Sequence, residues 1–334
     1  MVSKLTTPSI YASKRAADSL LSGMDKKVTI GVVQSAPEYL DVDKSMEKVE
    51  SLLREAADKE ANLVTFGETW FTGYPAWIDY CDEYAKWDFQ PTKEVFAKTH
   101  ANSLDITGSE VRQIGKWAKE LGMVVVMGIN EKVTTGPGNG TIYNALLTWN
   151  EQGDLANHHR KLMPTHTERL LYGQGDGAGL QAVETPYGRI GGLICWEHWM
   201  PLTRQTMHNS GEHIHVAVWP KVHELLQVAT RSYAFEGRCF AVGVGQIMRV
   251  KDIPDQLTLP PELQGKPDHM LLNGGSCVVG PDGHYVMEPQ WDVEGVFTVE
   301  VDLNRCYEER MALDVTGHYQ RNDVFQLEVN KKRP

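Results

Sequence analysis

Apolar residues in this chain fall into short unbroken blocks, separated by longer stretches in which they recur every three or four positions. Val28–Gln34 (VTIGVVQ) is one such block, rich in β-branched residues, and its length and composition predict a buried strand. Between Asp41 and Ala61 the apolar positions Val42, Met46, Val49, Leu52, Leu53 and Ala56 return at helical spacing with charges between them. That period predicts a helix with one buried face. Leu63–Phe66 is the next strand block, and Glu68 stands just beyond it. Leu104–Leu121 has the helical period and stops at Gly122, a residue suited to the left-handed turn that closes a helix.

Blocks at Met123–Ile129, Thr141–Trp149, Ile190–Cys195 and Ile214–Trp219 continue the strand series. The first two read as a pair; the amphipathic stretch Leu202–Asn209 separates the last two. Cys239–Gly245, Ser276–Gly280, His284–Glu288 and Val296–Val301 supply later strands, with Pro281-Asp282-Gly283 as a hairpin turn. The proline-rich Pro254–Asp268 reads as an excursion of the chain. Strand–helix alternation followed by hairpins predicts an α/β protein on a mixed sheet. With no composition shift to divide it, 25–327 is expected to form one domain. Residues 1–24 then form an N-terminal extension, flexible or subunit-contacting, and 328–334 a C-terminal tail.

Composition narrows the function classes. Lys and Arg total 33 against 44 Asp and Glu, a net charge of −11 over 334 residues. Such a balance disfavours nucleic acid and anionic membrane surfaces as partners of the whole molecule. The apolar blocks are far shorter than the roughly 20 residues that span a bilayer. Cys81, Cys195, Cys239, Cys277 and Cys306 are scattered and contain no C-x-x-C pair. This points away from a disulfide framework or thiolate zinc site and toward a reducing, cytoplasmic setting.

Some motif-like runs lack the context their chemistry needs. Gly173–Gly179 is glycine-dense, but no strand enters it and no helix clearly leaves it, so a structural turn is favoured over a dinucleotide loop. His213 and His215 share one face of an expected strand without a third ligand nearby, which favours ordinary buried or surface histidines over a metal site. His223-Glu224 is followed by Gln227, so H-E-x-x-H fails, and no G-x-S-x-G occurs.

Three segments carry more chemistry. Phe66-Gly67-Glu68-Thr69-Trp70 places a carboxylate at a strand end; His159–Arg169 is a basic loop holding Lys161 and Glu168; Gly191–His198 ends a strand in Cys195. Functional groups gather where strands of α/β sheets end. An ammonium near a thiol favours the thiolate, and a desolvated carboxylate can serve as a general base. Together the three side chains support covalent acyl transfer without a histidine base. Taken singly, each has a plainer reading: a buried thiol, a turn carboxylate, a surface lysine. The residues by themselves define an α/β protein with a candidate cysteine hydrolase site.

At these segments the chain resembles the nitrilase (carbon–nitrogen hydrolase) superfamily. The family's Glu after the second strand falls on Glu68, the Lys of its R-K-x-x-P-T loop on Lys161, and the Cys before Trp-Glu on Cys195. The carboxylate of the P-T-x-x-E-R stretch falls on Glu168. Similarity also runs through Gln174–Gly179, Glu236–Phe240, Asn273–Ser276 and Gly317–Leu327. The resemblance implies a four-layer α-β-β-α sandwich whose subunits pair through outer helices into homodimers, and further into spirals or filaments. Leu202–Asn209 and Glu224–Glu236 would be the pairing faces. Cys-Trp-Glu-His resembles the nitrilase branch, implying hydrolysis of a nitrile to acid and ammonia, with no metal or organic cofactor. Glu68 would be the base and acid, Cys195 the nucleophile, Lys161 the stabiliser of developing negative charge together with the Trp196 N–H, and Glu168 an orienting group. Tyr74 and Trp196 match substrate-proximal positions of the family; Trp70 and Trp199 are further candidates for the pocket wall, with core packing as the alternative. An activity stopping at the amide, an amidase, and a non-catalytic filament protein stay open beside the main reading.

Overall fold

The computed structural model describes residues 27–333, so the expectations for 1–24 lie outside the described residues. One sheet runs in the order β13 (Gly295–Asp302), β1 (Lys27–Gln34), β2 (Leu63–Thr65), β3 (Val124–Lys132), β4 (Ile142–Trp149) and β5 (Leu155–Arg160). The other runs β6 (Val183–Thr185), β7 (Gly188–Ile194), β8 (Ile214–Val218), β9 (Phe240–Val244), β11 (Met270–Val279) and β10 (Ile247–Arg249), with β12 (Tyr285–Trp291) also paired to β11. Within each sheet three central strands are parallel, β1-β2-β3 and β7-β8-β9, and the outer pairings are antiparallel.

The central strands are apolar on both faces because both faces are covered. From β1, Val28, Ile30 and Val32 point inward with Val124 and Val126 of β3, meeting Ile190, Ile194, Val216 and Val218 of the second sheet. The alternate residues, Val33, Val64, Val125 and Met127, pack outward. There they meet Val49 and Leu53 of α1 (Val42–Asp58) and Ile114 and Trp117 of α4 (Ser109–Leu121). On the far side Leu193 packs with Met207 of α5 (Pro201–Asn209) and Tyr233 of α6 (Glu224–Gly237). Helix, sheet, sheet, helix is the expected four-layer order. Among the described residues no helix is long and apolar enough to cross a membrane.

Local signals held where they were strong. Asp41 caps α1 by accepting the Lys44 N–H, and Gly122 closes α4 at φ +66°. The turn at 281–283 joins β11 to β12 with Gly283 at φ +80°. Other boundaries moved. The helix expected from Leu104 starts at Ser109, because Leu104 bridges to Glu131 and Asp105 folds into a turn by accepting the Thr107 N–H. Two helices, α2 (Trp77–Tyr80) and α3 (Gln90–Ala101), lie in a stretch without a strong period. The basic segment expected to be loop begins as strand: His159 and Arg160 end β5. Gly175 lies in irregular chain and Gly179 ends a short 3₁₀ turn, Gly177–Gly179, with no strand entering; a Cβ on Gly175 would lie 2.2 Å from the Arg160 carbonyl oxygen.

Candidate active site

Strand ends carry the three key side chains. Beyond β2 the chain crosses β3 closely enough that a Cβ on Gly128 would lie 2.2 Å from the Gly67 oxygen and 2.9 Å from the Glu68 Cα. Glycine at that crossing lets Glu68 turn in. Lys161 follows β5 directly, and its N–H donates to the Asn144 carbonyl, extending the β4–β5 pairing by one bond. Cys195 follows β7 and opens a single 3₁₀ turn, Cys195–Trp199, at φ +51°. A left-handed backbone costs a non-glycine residue about 1 kcal/mol or more, and Thr69 and His166 share it, at φ +45° each. Strain of this kind concentrates at functional sites.

The tips converge. Lys161 Nζ donates to Glu68 Oε1 at 2.7 Å and to the two Glu168 oxygens at 2.9 and 2.7 Å. Glu68 Oε1 also accepts from Asn144 Nδ2 at 2.7 Å, while Glu168 accepts from the Tyr74 hydroxyl at 2.8 Å and the Thr165 N–H at 2.9 Å. Cys195 Sγ and one oxygen from each of Glu68 and Glu168 lie within 4.8 Å of one another. Three donors so spaced fit a cation, and the cation bonded to both carboxylates is the Lys161 ammonium. All four residues are buried. Glu68 Oε2 is buried with no nitrogen or hydroxyl donor, and the thiol and the Glu68 carboxylate act directly on each other.

Burial is the largest influence on Glu68, which with repulsion from Glu168 outweighs Lys161 and raises the carboxyl to about 7. Burial also holds the Cys195 thiol well above its ordinary value, with the Glu68 charge adding to it. Lys161 does favour the thiolate, as expected, but two nearby carboxylates and a dry site outweigh one ammonium, and the resting sulfur keeps its proton. Burial opposes the charge on Lys161, but the carboxylates of Glu68 and Glu168 prevail and hold it protonated.

Of the aromatic candidates, Tyr74 reaches the cluster through Glu168. Trp196 and Trp199 flank the nucleophile turn and are partly exposed. Trp70 is fully buried elsewhere: its indole N–H donates to the Ser35 carbonyl at 2.8 Å and its ring packs on Phe66 in the outer core of the first sheet. Two site residues carried no role in the sequence reading, although Glu197 stood in its Cys-Trp-Glu-His run. Asn144 was legible only as a lone amide inside an apolar strand. Glu197 accepts the N–H groups of Leu162 and Ile194, both at 2.7 Å, and binds His159 Nε2 at 2.9 Å. It thereby staples the Lys161 segment to the end of the Cys195 strand. Burial opposes its charge, yet His159 and the two N–H donors hold it below the usual carboxylate range.

Residues 29–311 match the family model for carbon–nitrogen hydrolases, and the chain belongs to that family of enzymes acting on carbon–nitrogen bonds. It is 36% identical over 312 residues to a nitrilase 2 from an unknown prokaryotic organism, covering 92% of this chain and 94% of that one. An aliphatic nitrilase of Sinorhizobium fredii is 35% identical over 92% of this chain and 96% of its own. A bifunctional nitrilase/nitrile hydratase of Lupinus angustifolius is 33% identical over 97% and 93%. Within the family the chain thus falls in the nitrilase branch. Its fold is shared with a carbon–nitrogen hydrolase of Helicobacter pylori (TM-score 0.62, 20% identity, 89% of this chain and 96% of that one). It is shared as well with the Nit3 protein of Saccharomyces cerevisiae (TM-score 0.65, 19% identity, 88% and 97%).

Proposed function

We propose that the protein hydrolyses an organic nitrile to the carboxylic acid and ammonia through covalent intermediates on Cys195. The observation that carries this reading is a buried Glu68 carboxylate, its Oε2 without a nitrogen or hydroxyl donor, with an oxygen within 4.8 Å of a protonated, buried thiol. Glu68 takes the thiol proton as sulfur attacks the nitrile carbon, and passes it to the nitrogen to form a thioimidate. Water, deprotonated by Glu68, adds to give a tetrahedral species; its C–N bond breaks as ammonia leaves, and a thioester remains. A second water cleaves the thioester, freeing the acid and returning the thiol. Lys161, with the Trp196 N–H, stabilises the anionic nitrogen and oxygen, and Glu168 orients Lys161. Nucleophile, base and cation are all side chains, so the sequence of steps needs no metal or organic cofactor. Tyr74, Trp196 and Trp199 would form the wall around the nitrile.

A second reading is favoured by the name of one relative, which couples nitrilase with nitrile hydratase: expulsion of sulfur from the tetrahedral species ends the reaction at the amide. A panel of aliphatic, aryl and arylacetonitriles and cyanide, with acid, amide and ammonia all quantified, tests both. Ammonia and acid in equal amounts support the first reading, amide alone supports the second, and no turnover of any nitrile removes both. The same reading takes 25–327 as the catalytic domain, working in the cytoplasm with its five cysteines as thiols. Subunits would pair through α5 and α6, where Leu202, Leu225, Val228 and Phe235 are exposed, and sedimentation would report the dimer and any larger spiral.

A further inference from the structure

Behind the nucleophile, four buried polar side chains form a chain that the proposed steps do not use. His198 Nδ1 lies 2.7 Å from the Cys195 carbonyl oxygen, and His198 Nε2 lies 2.9 Å from His215 Nε2. His215 Nδ1 lies 2.7 Å from Glu212 Oε1, and the Tyr233 hydroxyl donates to Glu212 Oε2 at 2.6 Å. The Tyr233 ring stacks on His215 with centroids 3.6 Å apart, and His198 lies against Trp219. Room for the Glu212 carboxyl comes from Gly191 on β7, where a Cβ would lie 1.9 Å from Oε1. The glycine in the run leading to Cys195 serves this chain.

Its protons can be counted. A carbonyl only accepts, so His198 carries its hydrogen on Nδ1 and offers a bare Nε2. His215 must therefore donate from Nε2. The short contact between His215 Nδ1 and Glu212 Oε1 then needs one more proton, on the acid or on the imidazole. Remove it, and a lone pair faces a lone pair at some link. If His215 turns its hydrogen to Glu212, His198 must move its own to Nε2, and the Cys195 carbonyl loses its donor.

We propose that Tyr233, Glu212, His215 and His198 are positioning residues that hold the Cys195–Trp196 peptide in its working orientation while they retain one proton shared between Glu212 and His215. The peptide is planar, so fixing the Cys195 carbonyl also aims the Trp196 N–H, the donor assigned above to the developing anion. Burial raises the Glu212 acid to about 7 and holds the His215 imidazolium well below its ordinary value. The proton accordingly rests on Glu212 and leaves as pH rises through 7. Facing the chain are His208 of α5, Glu236 of α6, Cys239 ahead of β9 and Glu197. Arg204 donates to the His198 carbonyl at 3.0 Å, and Arg310 of α7 (Asn304–Arg310) donates to the Glu212 carbonyl at 3.2 Å.

The effect on turnover rests on the nitrilase reading, whereas the chain itself can be tested without it. Glu212→Leu should lower kcat at least tenfold with KM within twofold. Glu212→Gln, whose amide donates to His215 and accepts from Tyr233, should recover most of that loss. The ratio of the Glu212→Gln rate to the wild-type rate should climb at least threefold between pH 6 and pH 9. A flat ratio, or equal losses in the two variants, overturns the proposal. Iodoacetamide labelling of Cys195, followed by mass spectrometry, gives the same ratio if no nitrile is turned over. Should the Leu variant not fold, nitrogen-15 histidine spectra of the wild type at pH 6 decide: His198 protonated at Nδ1 supports the assignment, and His198 protonated at Nε2 overturns it.

Discussion

Two buried glutamates of the first sheet, Glu131 and Glu68, meet opposite fates. Glu131 on β3 is gripped by the Arg160 guanidinium at both oxygens and by His158 Nε2 at 2.7 Å, while Arg160 stacks 3.9 Å from the Tyr143 ring centroid. Burial alone would raise it, but these partners hold it below the usual carboxylate range. Glu68 shares its one ammonium with Glu168 and keeps an oxygen without a nitrogen or hydroxyl donor, so burial prevails and the group titrates at about 7. A buried carboxylate with every lone pair engaged is a strut. One left a partner short is a base. The same logic separates Glu197, stapled by three donors, from Glu212, which needs a proton to complete its bonds.

The largest effect expected at the reactive pole is loss of the nucleophile. Cys195→Ala should reduce nitrile turnover by about 10⁴-fold or more, with the circular dichroism of the folded protein retained; residual turnover near the wild-type rate would break the assignment. Next, Glu68→Gln should cost about 10²- to 10⁴-fold in kcat. Its melting temperature at pH 8 should not fall, because a carboxyl raised to about 7 binds a proton that the unfolded chain has released and so weakens the fold at higher pH. Glu131→Ala should do the reverse. Leaving Arg160 without its partner should cost about 3 kcal/mol in denaturant unfolding, and the folded variant should lose far less kcat than Glu68→Gln. Equal kinetic losses would erase the contrast.

A pH profile sharpens it further. Glu68 must be ionised to take the thiol proton, so kcat/KM should rise about tenfold per pH unit below 7 and level off above it, apart from any alkaline decline set by Glu212. Glu131, already ionised there, should leave no limb near 7. The smallest effect belongs to Trp70→Phe. It removes the bond to Ser35 and should cost about 1 kcal/mol of stability, with KM for the nitrile nearly unchanged.

Much of this was legible in the chain. The apolar blocks marked β1, β3, β4, β7 and β8, since a strand covered on both faces must be apolar throughout. Gly122 and Asp41 marked helix ends because caps are local events. Weakly patterned α3 buries little besides Val95 and Thr99, and so left no clear period. Short edge strands such as β6 and β10 were equally silent. Among the site residues, Glu68, Lys161, Glu168 and Cys195 stood in recognisable runs. Asn144 and Glu212 did not, and neither His198 in its Cys-Trp-Glu-His run nor His215 in its strand showed what it would bond, because their meaning is their contacts.

By itself, then, the order of residues determined the strand and helix periods, the turns that end them, and the family motifs at the strand ends. Tertiary structure alone decided that the thiol keeps its proton, that one Glu68 oxygen has no nitrogen or hydroxyl donor, and that Trp70 packs away from the cluster. Periods and caps arise between neighbours in the chain. Proton affinities and orientations arise from desolvation and from charges brought together across many residues of sequence, and those exist only once the two sheets have closed on each other.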